Sequence, residues 1–288
     1  MRTSDSVGFA ARVGHVDARV TRITSSRGRI ELDLGELWAY RELLYFLVWR
    51  DLKVRYKQTV IGAAWAVVQP FLTMVVFTLF FGWLAKLPSD GLPYPIFYYS
   101  ALLPWMYFAG SLQHVTNTMV EHQWVIKKVY FPRLLLPLSA VLSGLVDFGI
   151  AFVILVVMIL AYGIGLSATA LLAPVFLLLA VLTSLAVGLW LAALNARYRD
   201  VRYVVPFLIQ FWMFASPIVY PVSLVPERWR WLYGLNPMAG VIDGFRWSLL
   251  GQGQPSAVLG LSVLAVIVVL CGGLLYFRHV EATVADAL

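Results

Sequence analysis

The chain has 288 residues, 61% of them hydrophobic and 13% charged, and its mean hydropathy is +0.80. Soluble domains carry about 25% charged residues, so this composition excludes an ordinary soluble fold. The net charge of +7 is read as cationic loops held against anionic lipid rather than as a nucleic-acid surface. A single cysteine, Cys271, excludes an intrachain disulfide and offers no metal cluster.

Residues 1–33 are polar and arginine-rich, with Arg2, Arg12, Arg19, Arg22, Arg27 and Arg29. They predict a polar cytoplasmic leader ahead of one membrane domain over 34–288. No apolar core of a signal peptide occurs in the first 34 residues, so the first spanning helix is expected to direct insertion.

From Glu36 to Val48 the residues Leu37, Tyr40, Leu44, Leu47 and Val48 recur at helical spacing. With Trp38, Tyr45 and Trp49 beside them, they predict an amphipathic helix at the membrane–water interface. A basic block follows, with Arg50, Lys53, Arg55 and Lys57. Charge then stops for 28 residues, Gln58 to Ala85. About 20 apolar residues cross a bilayer, so this run predicts a first span, about 62–84, probed midway by Pro70 and expected to kink there.

The second span is expected at about 95–119. Its second half turns polar, and His114 there reads as either a proton relay or a packing residue. Residues 121–131, EHQWVIKKVYF, predict a short helix with Trp124, Lys128 and Phe131 on one face. Lys127 and Lys128 are either part of a docking surface for a soluble partner or only topology anchors. Between Leu134 and Ala196 the one charge is Asp147. A break at Gly163–Ser167 divides that stretch into spans of about 138–162 and 170–195. An ionisable group within a span is costly and faces protein or a water-filled path, so Asp147 is a structural contact or part of a transport route.

Arg197, Arg199 and Arg202 mark the next turn. The fifth span, about 204–220, is short, and Pro206 and Pro217 make it irregular. Residues 221–255 mix Trp229, Trp231, Tyr233, Phe245 and Trp247 with Arg228, Arg230 and Arg246. Pro226 and Pro237 suit helix starts, Asn236 an N-cap, and Gly234 and Gly251 helix ends. Two short helices dipping into the outer interface are expected there. The sixth span follows at about 257–277.

The resulting fold class is all-α integral membrane: six transmembrane helices, an N-terminal interfacial amphipathic helix and two short re-entrant helices. Six spans place both termini on one side. That side holds eighteen Lys and Arg, the other four, which predicts cytoplasmic termini. No P-loop, H-E-x-x-H or G-x-S-x-G occurs, so the chain carries no nucleotide-binding or hydrolase motif.

On the first span, Trp65, Gln69, Thr73 and Phe80 are spaced by four, four and seven, which keeps them on one helical face. Polar groups there serve a pathway, or they bridge neighbouring helices. Trp65, Phe71, Phe77, Phe80, Phe207, Phe211 and Trp212 supply aromatic surface on the first and fifth spans, half of it expected to be packing.

Four stretches carry a family resemblance: RDLKVRYKQTVIGAAWAVVQPFLTMVVFTLFF at 50–81, IKKVYFPRLLLPLSAVLSGLVDF at 126–148, NARYRDVRYVVPFLIQFWMFASPIVYP at 195–221 and LNPMAGVIDGFRWSLLG at 235–251. In this order they resemble the permease subunits of type-2 ABC exporters for O-antigen, capsular polysaccharide and teichoic acid. The resemblance implies a transport subunit of the bacterial inner membrane, not an enzyme. It implies a homodimer that binds two ABC ATPase subunits and exports a lipid-linked polysaccharide, with undecaprenyl diphosphate as the expected carrier. No cofactor is implied in this chain, ATP and Mg being on the partner subunit. The implied sites are an interfacial gate with Trp38, Arg41, Arg50 and Lys53; an ATPase-coupling helix with Glu121, Trp124, Lys127, Lys128 and Phe131; channel residues Trp65, Gln69, Thr73, Phe80, Phe207 and Phe211; and a periplasmic gate with Trp229, Trp231 and Arg246. A teichoic-acid or phospholipid-linked capsule exporter is the nearest alternative, and a membrane enzyme or scaffold the alternative of another class.

Overall fold

Helices account for the regular structure of the computed structural model, which describes residues 34–57, 62–165, 167–251 and 258–287; the expected leader lies outside them. In chain order they are α1 (Leu34–Ala39), α2 (Arg41–Lys57), α3 (Gly62–Phe77) with a π-helical continuation (Thr78–Leu84), α4 (Tyr94–Glu121) and α5 (Gln123–Ile126). Then come α6 (Leu135–Ala161), a 3-10 turn (Ala168–Leu172) leading into α7 (Ala173–Arg197), α8 (Val201–Phe214), α9 (Glu227–Gly234), α10 (Pro237–Leu250) and α11 (Val258–Ala287). No strand occurs among the described residues.

Among the described residues, four helical stretches are long and apolar enough to cross a membrane: Ala64–Leu84, Leu135–Ala161, Ala168–Arg197 and Val258–Glu281. The other two expected spans are of different kinds. With 28 residues, α4 is roughly 42 Å long, ample for a bilayer. It is too polar to read as lipid-facing because it is the central helix, packed on α3, α6, α7, α8 and α10. Several of its hydroxyls meet backbone carbonyls: Tyr107 Oη donates to Val141 O at 3.0 Å, Tyr99 Oη to Ala151 O at 3.3 Å, and Thr116 Oγ1 to Leu112 O at 2.7 Å. A buried hydroxyl so satisfied costs little. By contrast α8 stops at Phe214, after 14 residues and roughly 21 Å. The helix stops short of residue 220, and the irregularity expected from the prolines falls at Ala215 to Pro221, where Pro217 accounts for the early stop.

Helical structure runs on through Pro70, and the irregularity of the first span falls eight residues later, in the π-helical turn. At the other end of the sequence, Asn236 Oδ1 accepts from Met238 N at 3.0 Å and caps α10, whose first residue is Pro237. Gly251, at φ 65°, closes that helix in the left-handed conformation that glycine adopts without steric cost.

The contacts define two ends. At one, Tyr130 Oη donates to Glu36 Oε1 at 3.4 Å, and Arg133 N and Nη1 donate to Glu281 Oε1 at 3.2 Å and to its carbonyl at 2.6 Å. This basic end joins α1, the turn after α5, and the tail of α11. At the opposite end Ser223 Oγ donates to Asp90 Oδ1 at 2.9 Å and Thr169 Oγ1 to Ser248 O at 2.9 Å, tying the loops to α10.

Candidate functional site

A cleft of ≈ 810 Å³ opens beside α3. Trp65, Gln69 and Thr73 line one wall, and Met106, Gln113 and His114 of α4 another. Asp147 and Phe148 of α6, Ile209 and Met213 of α8, and Arg55 of α2 complete it. Three of the four residues spaced along the first span thus share one wall. Phe80 does not line the cleft: it lies in the π-helical turn, where i→i+5 bonding advances the chain by a smaller angle per residue, so α-helical spacing no longer sets the face. Thr73 Oγ1 is satisfied by Gln69 O at 2.8 Å within its own helix. The exposed Gln69 amide has no protein hydrogen bond among the described residues, which leaves it available to a ligand.

Phe207 and Phe211 are 72% and 68% exposed and do not line this cleft. The inner face of α8 is Val205, Ile209 and Met213; Tyr203, Phe207, Phe211 and Phe214 form an exposed aromatic stripe on another face. Phe77 and Trp212 are packing residues: Phe77 meets Phe81 and Tyr98 edge-on, and Trp212 Nε1 donates to Asn236 Oδ1 at 2.8 Å.

The inner part of the cleft is polar because α2 packs lengthwise on α6. Leu47 is buried and Leu37, Tyr40, Leu43 and Leu44 pack against the core, while Trp38, Tyr45 and Trp49 stay exposed. That contact brings Asp51 near Ser139 and Arg55 to Asp147, eight residues further along α6. Arg55 pairs with Asp147, whose other oxygen accepts from the Tyr56 hydroxyl. Arg55 Nη2 also meets His114 Nε2 at 3.1 Å. Burial first, and the hydrogen bond to Asp147 next, push the Tyr56 phenol up to about 12, so it remains a donor near neutral pH. Asp147 is therefore a structural contact and a lining residue at once. Of the expected gate residues, Arg50 turns inward to Asp51 and His122. Arg41 lies 5.7 Å from the Trp38 ring centroid, and Lys53 is exposed.

At the basic end α5 is only four residues long. Trp124 is 70% exposed, and Glu121, Lys127 and Lys128 are exposed with it. The expected face of Trp124, Lys128 and Phe131 does not form. The helix ends at Ile126, Pro132 forces the preceding residue away from helical conformation, and Phe131 is buried. Val129 and Tyr130 are exposed in its place. Burial, with Glu36 next, raises the Tyr130 phenol.

At the opposite end Trp229 and Trp231 are exposed on α9, but Arg246 is buried. Its guanidinium lies 3.8 Å from the Phe97 ring centroid and donates from Nη2 to Pro217 O at 2.9 Å. Of the three residues expected at a periplasmic gate, Arg246 is thus enclosed rather than exposed beside Trp229 and Trp231: α10 packs among α4, α7 and α11. No cluster of three or more metal-ligating side chains occurs among the described residues.

The profile of the ABC-2 type transporter family matches residues 42–250. The chain belongs to that family. Similarity to curated proteins agrees with it. The O-antigen export system permease protein RfbA of Myxococcus xanthus is 32% identical over 238 residues, 82% of this chain and 90% of that protein. A Klebsiella pneumoniae permease of the same name is 28% identical, over 76% and 83%. The polysialic acid transport protein KpsM of Escherichia coli is 22% identical, over 81% and 91%.

Within this ABC-2 chain the match spans every residue of the cleft and stops before α11. Sequence reasoning placed Arg55 in a basic block without a role and missed Tyr56 and Tyr130. The available signal was an arginine, and a tyrosine after it, near the end of a helix that an unpaired intramembrane aspartate required as a neighbour.

Proposed function

We propose that this chain is the membrane permease of an ATP-driven exporter that carries a lipid-linked polysaccharide of the O-antigen type out of the cytoplasm. Alignment over nine-tenths of a permease named for O-antigen export supports that reading. The observation that carries it in the structure is the cleft, where Trp65 offers an apolar ring face beside the Gln69 amide. Sugar rings pack their C–H faces on such rings while their hydroxyls need polar partners. A moving chain is held weakly and repeatedly rather than tightly.

Two further parts complete the reading. The exposed Phe207 and Phe211 stripe suits a second copy of the chain, so that two clefts form one conduit. The turn with Trp124, Lys127, Lys128 and Tyr130 suits an ABC ATPase subunit on each copy. The charge asymmetry orients that turn and both termini toward the cytoplasm of a bacterial inner membrane. Similarity to KpsM favours one second reading, a capsule-type acidic glycan as cargo.

The test is purification of the native complex, with the bound ATPase and glycolipid identified by mass spectrometry. A disrupted gene should leave lipid-linked glycan inside the cell and none at the surface. Unchanged surface glycan with no co-purifying ATPase overturns the reading. In a Cys271→Ser background, Ser89→Cys should label from outside with an impermeant thiol reagent and Arg199→Cys should not; the reverse pattern overturns the orientation.

A further inference from the structure

Arg55 and Asp147 are the only charged side chains among the described residues lining the cleft. The rest of the wall is aromatic, apolar, hydroxyl or amide, with the His114 imidazole. A neutral glycan needs no ion pair beside it, so the position of these two charges calls for a reason of its own. They come from helices 92 residues apart in sequence, and each is about seven-tenths buried, with side-chain exposures of 27% and 31%.

Removing two charges from water costs nearly as much as their attraction returns, so a half-buried pair of this kind is close to balance. Leaving Arg55 bare would be costly, but replacing one anion by another keeps it compensated, so exchange is the accessible change. Asp147 is arranged for exchange: one oxygen faces Arg55 and the other already accepts from Tyr56. Its charge keeps a hydrogen-bond donor when the guanidinium turns away. Arg55 presents five N–H donors in a planar fork, which suits the oxygens of a phosphate better than a single carboxylate oxygen. His114, 3.1 Å from Nη2, holds the fork at the cleft wall.

We propose that Arg55 is a phosphate-binding site that Asp147 occupies in the absence of cargo. The diphosphate of a lipid-linked headgroup entering the cleft displaces the carboxylate, which remains on Tyr56. The exchange marks the charged end of an otherwise neutral chain. This inference rests on the cleft being the substrate path.

The permease, assembled with its ATPase in phosphatidylcholine nanodiscs, is titrated with farnesyl diphosphate as a short, sugar-free probe. Binding is read by calorimetry. Arg55→Gln should weaken binding roughly tenfold or more, as expected for loss of a charge-assisted bidentate contact. Asp147→Asn should strengthen it, by roughly tenfold if the closed pair is about nine-tenths populated, because the internal competitor is gone. Tyr56→Phe keeps the ion pair, so it folds even where the other two do not. It should weaken binding, because the carboxylate then depends on Arg55.

A structural strut predicts otherwise. Equal weakening by Asp147→Asn and Arg55→Gln, or no change with Tyr56→Phe, overturns the proposal. So does loss of probe binding in nanodiscs made with phosphatidylglycerol, which would make ordinary lipid the occupant, or equal binding of inorganic pyrophosphate, which would make the lipid chain irrelevant. The two readings fail separately. Probe binding with this pattern in a complex whose loss leaves surface glycan unchanged removes the export reading alone. Export without the pattern removes only this one.

Discussion

The cleft and the opposite end of the bundle each take an arginine out of water, by different means. Arg246 is buried, laid on the Phe97 ring and bonded to the Pro217 carbonyl at the corner where α8 stops. Arg55 is half-buried, paired with a carboxylate, and lines open space. The first arrangement offers no route for exchange, so it is architecture. The second leaves the cation beside the cleft with a competitor that has a second partner. The same side chain is thus enclosed by its neighbours at one end of the bundle and lines a cleft at the other.

The largest expected effect tests the enclosed arginine. Arg246→Ala should cost about 3–5 kcal/mol, from the lost charge-assisted bond and the cavity left over Phe97. Arg55→Ala should cost less, about 1–3 kcal/mol, since Asp147 keeps the Tyr56 hydroxyl as a donor and the pair is only partly buried. Thermal unfolding of the purified permease in detergent measures both, and equal shifts would dissolve the distinction.

Gly244→Ala sharpens it. A Cβ there would sit 2.0 Å from Phe176 Cε1, so the Phe176 ring or α10 must shift, at about 1–3 kcal/mol. A glycine facing open space, Gly110, should accept alanine with no loss of melting temperature, although it lines the cleft.

Trp65→Ala should lower glycan export per assembled complex by roughly tenfold, in keeping with loss of one aromatic contact worth about 1 kcal/mol and more. Phe80→Ala, off the cleft, should leave it near the parent value. Export assayed against the amount of complex in the membrane decides, and equal losses would mean the cleft is not the path.

The smallest effects concern the basic end. Trp124→Ala with Tyr130→Ala should weaken capture of the ATPase subunit while the permease keeps its melting temperature. Phe131→Ala should do the reverse, lowering stability by about 3 kcal/mol through a core cavity. Pull-down and melting curves on the same preparations separate the two.

Much of this was legible in the chain because a bilayer admits few solutions. Uncharged runs had to be spans, the Gly163 break had to divide the longest run, and Asn236, Pro237 and Gly251 had to bound a helix. Local chemistry set those features, and they hold. The irregularity of the fifth span was legible from Pro206 and Pro217, but the residue at which α8 stops was not, because the run to residue 220 is apolar throughout. Nor was the exclusion of Phe80, since spacing arguments assume α geometry and the π-helical turn breaks it.

What the sequence determined by itself is the helical membrane class, the positions of the apolar runs and the one face of α3 that carries Trp65, Gln69 and Thr73. Periodicity and hydrophobicity are properties of neighbours along the chain. What only the tertiary structure decided is which charges meet: Arg55 with Asp147, Arg246 over Phe97, Arg133 on Glu281, and Phe131 withdrawn from the surface. Those pairings join residues far apart in sequence, and no local preference selects among them. They follow from the packing of α2 on α6 and of α10 between its neighbours, where each buried charge must find the partner that the fold brings to it.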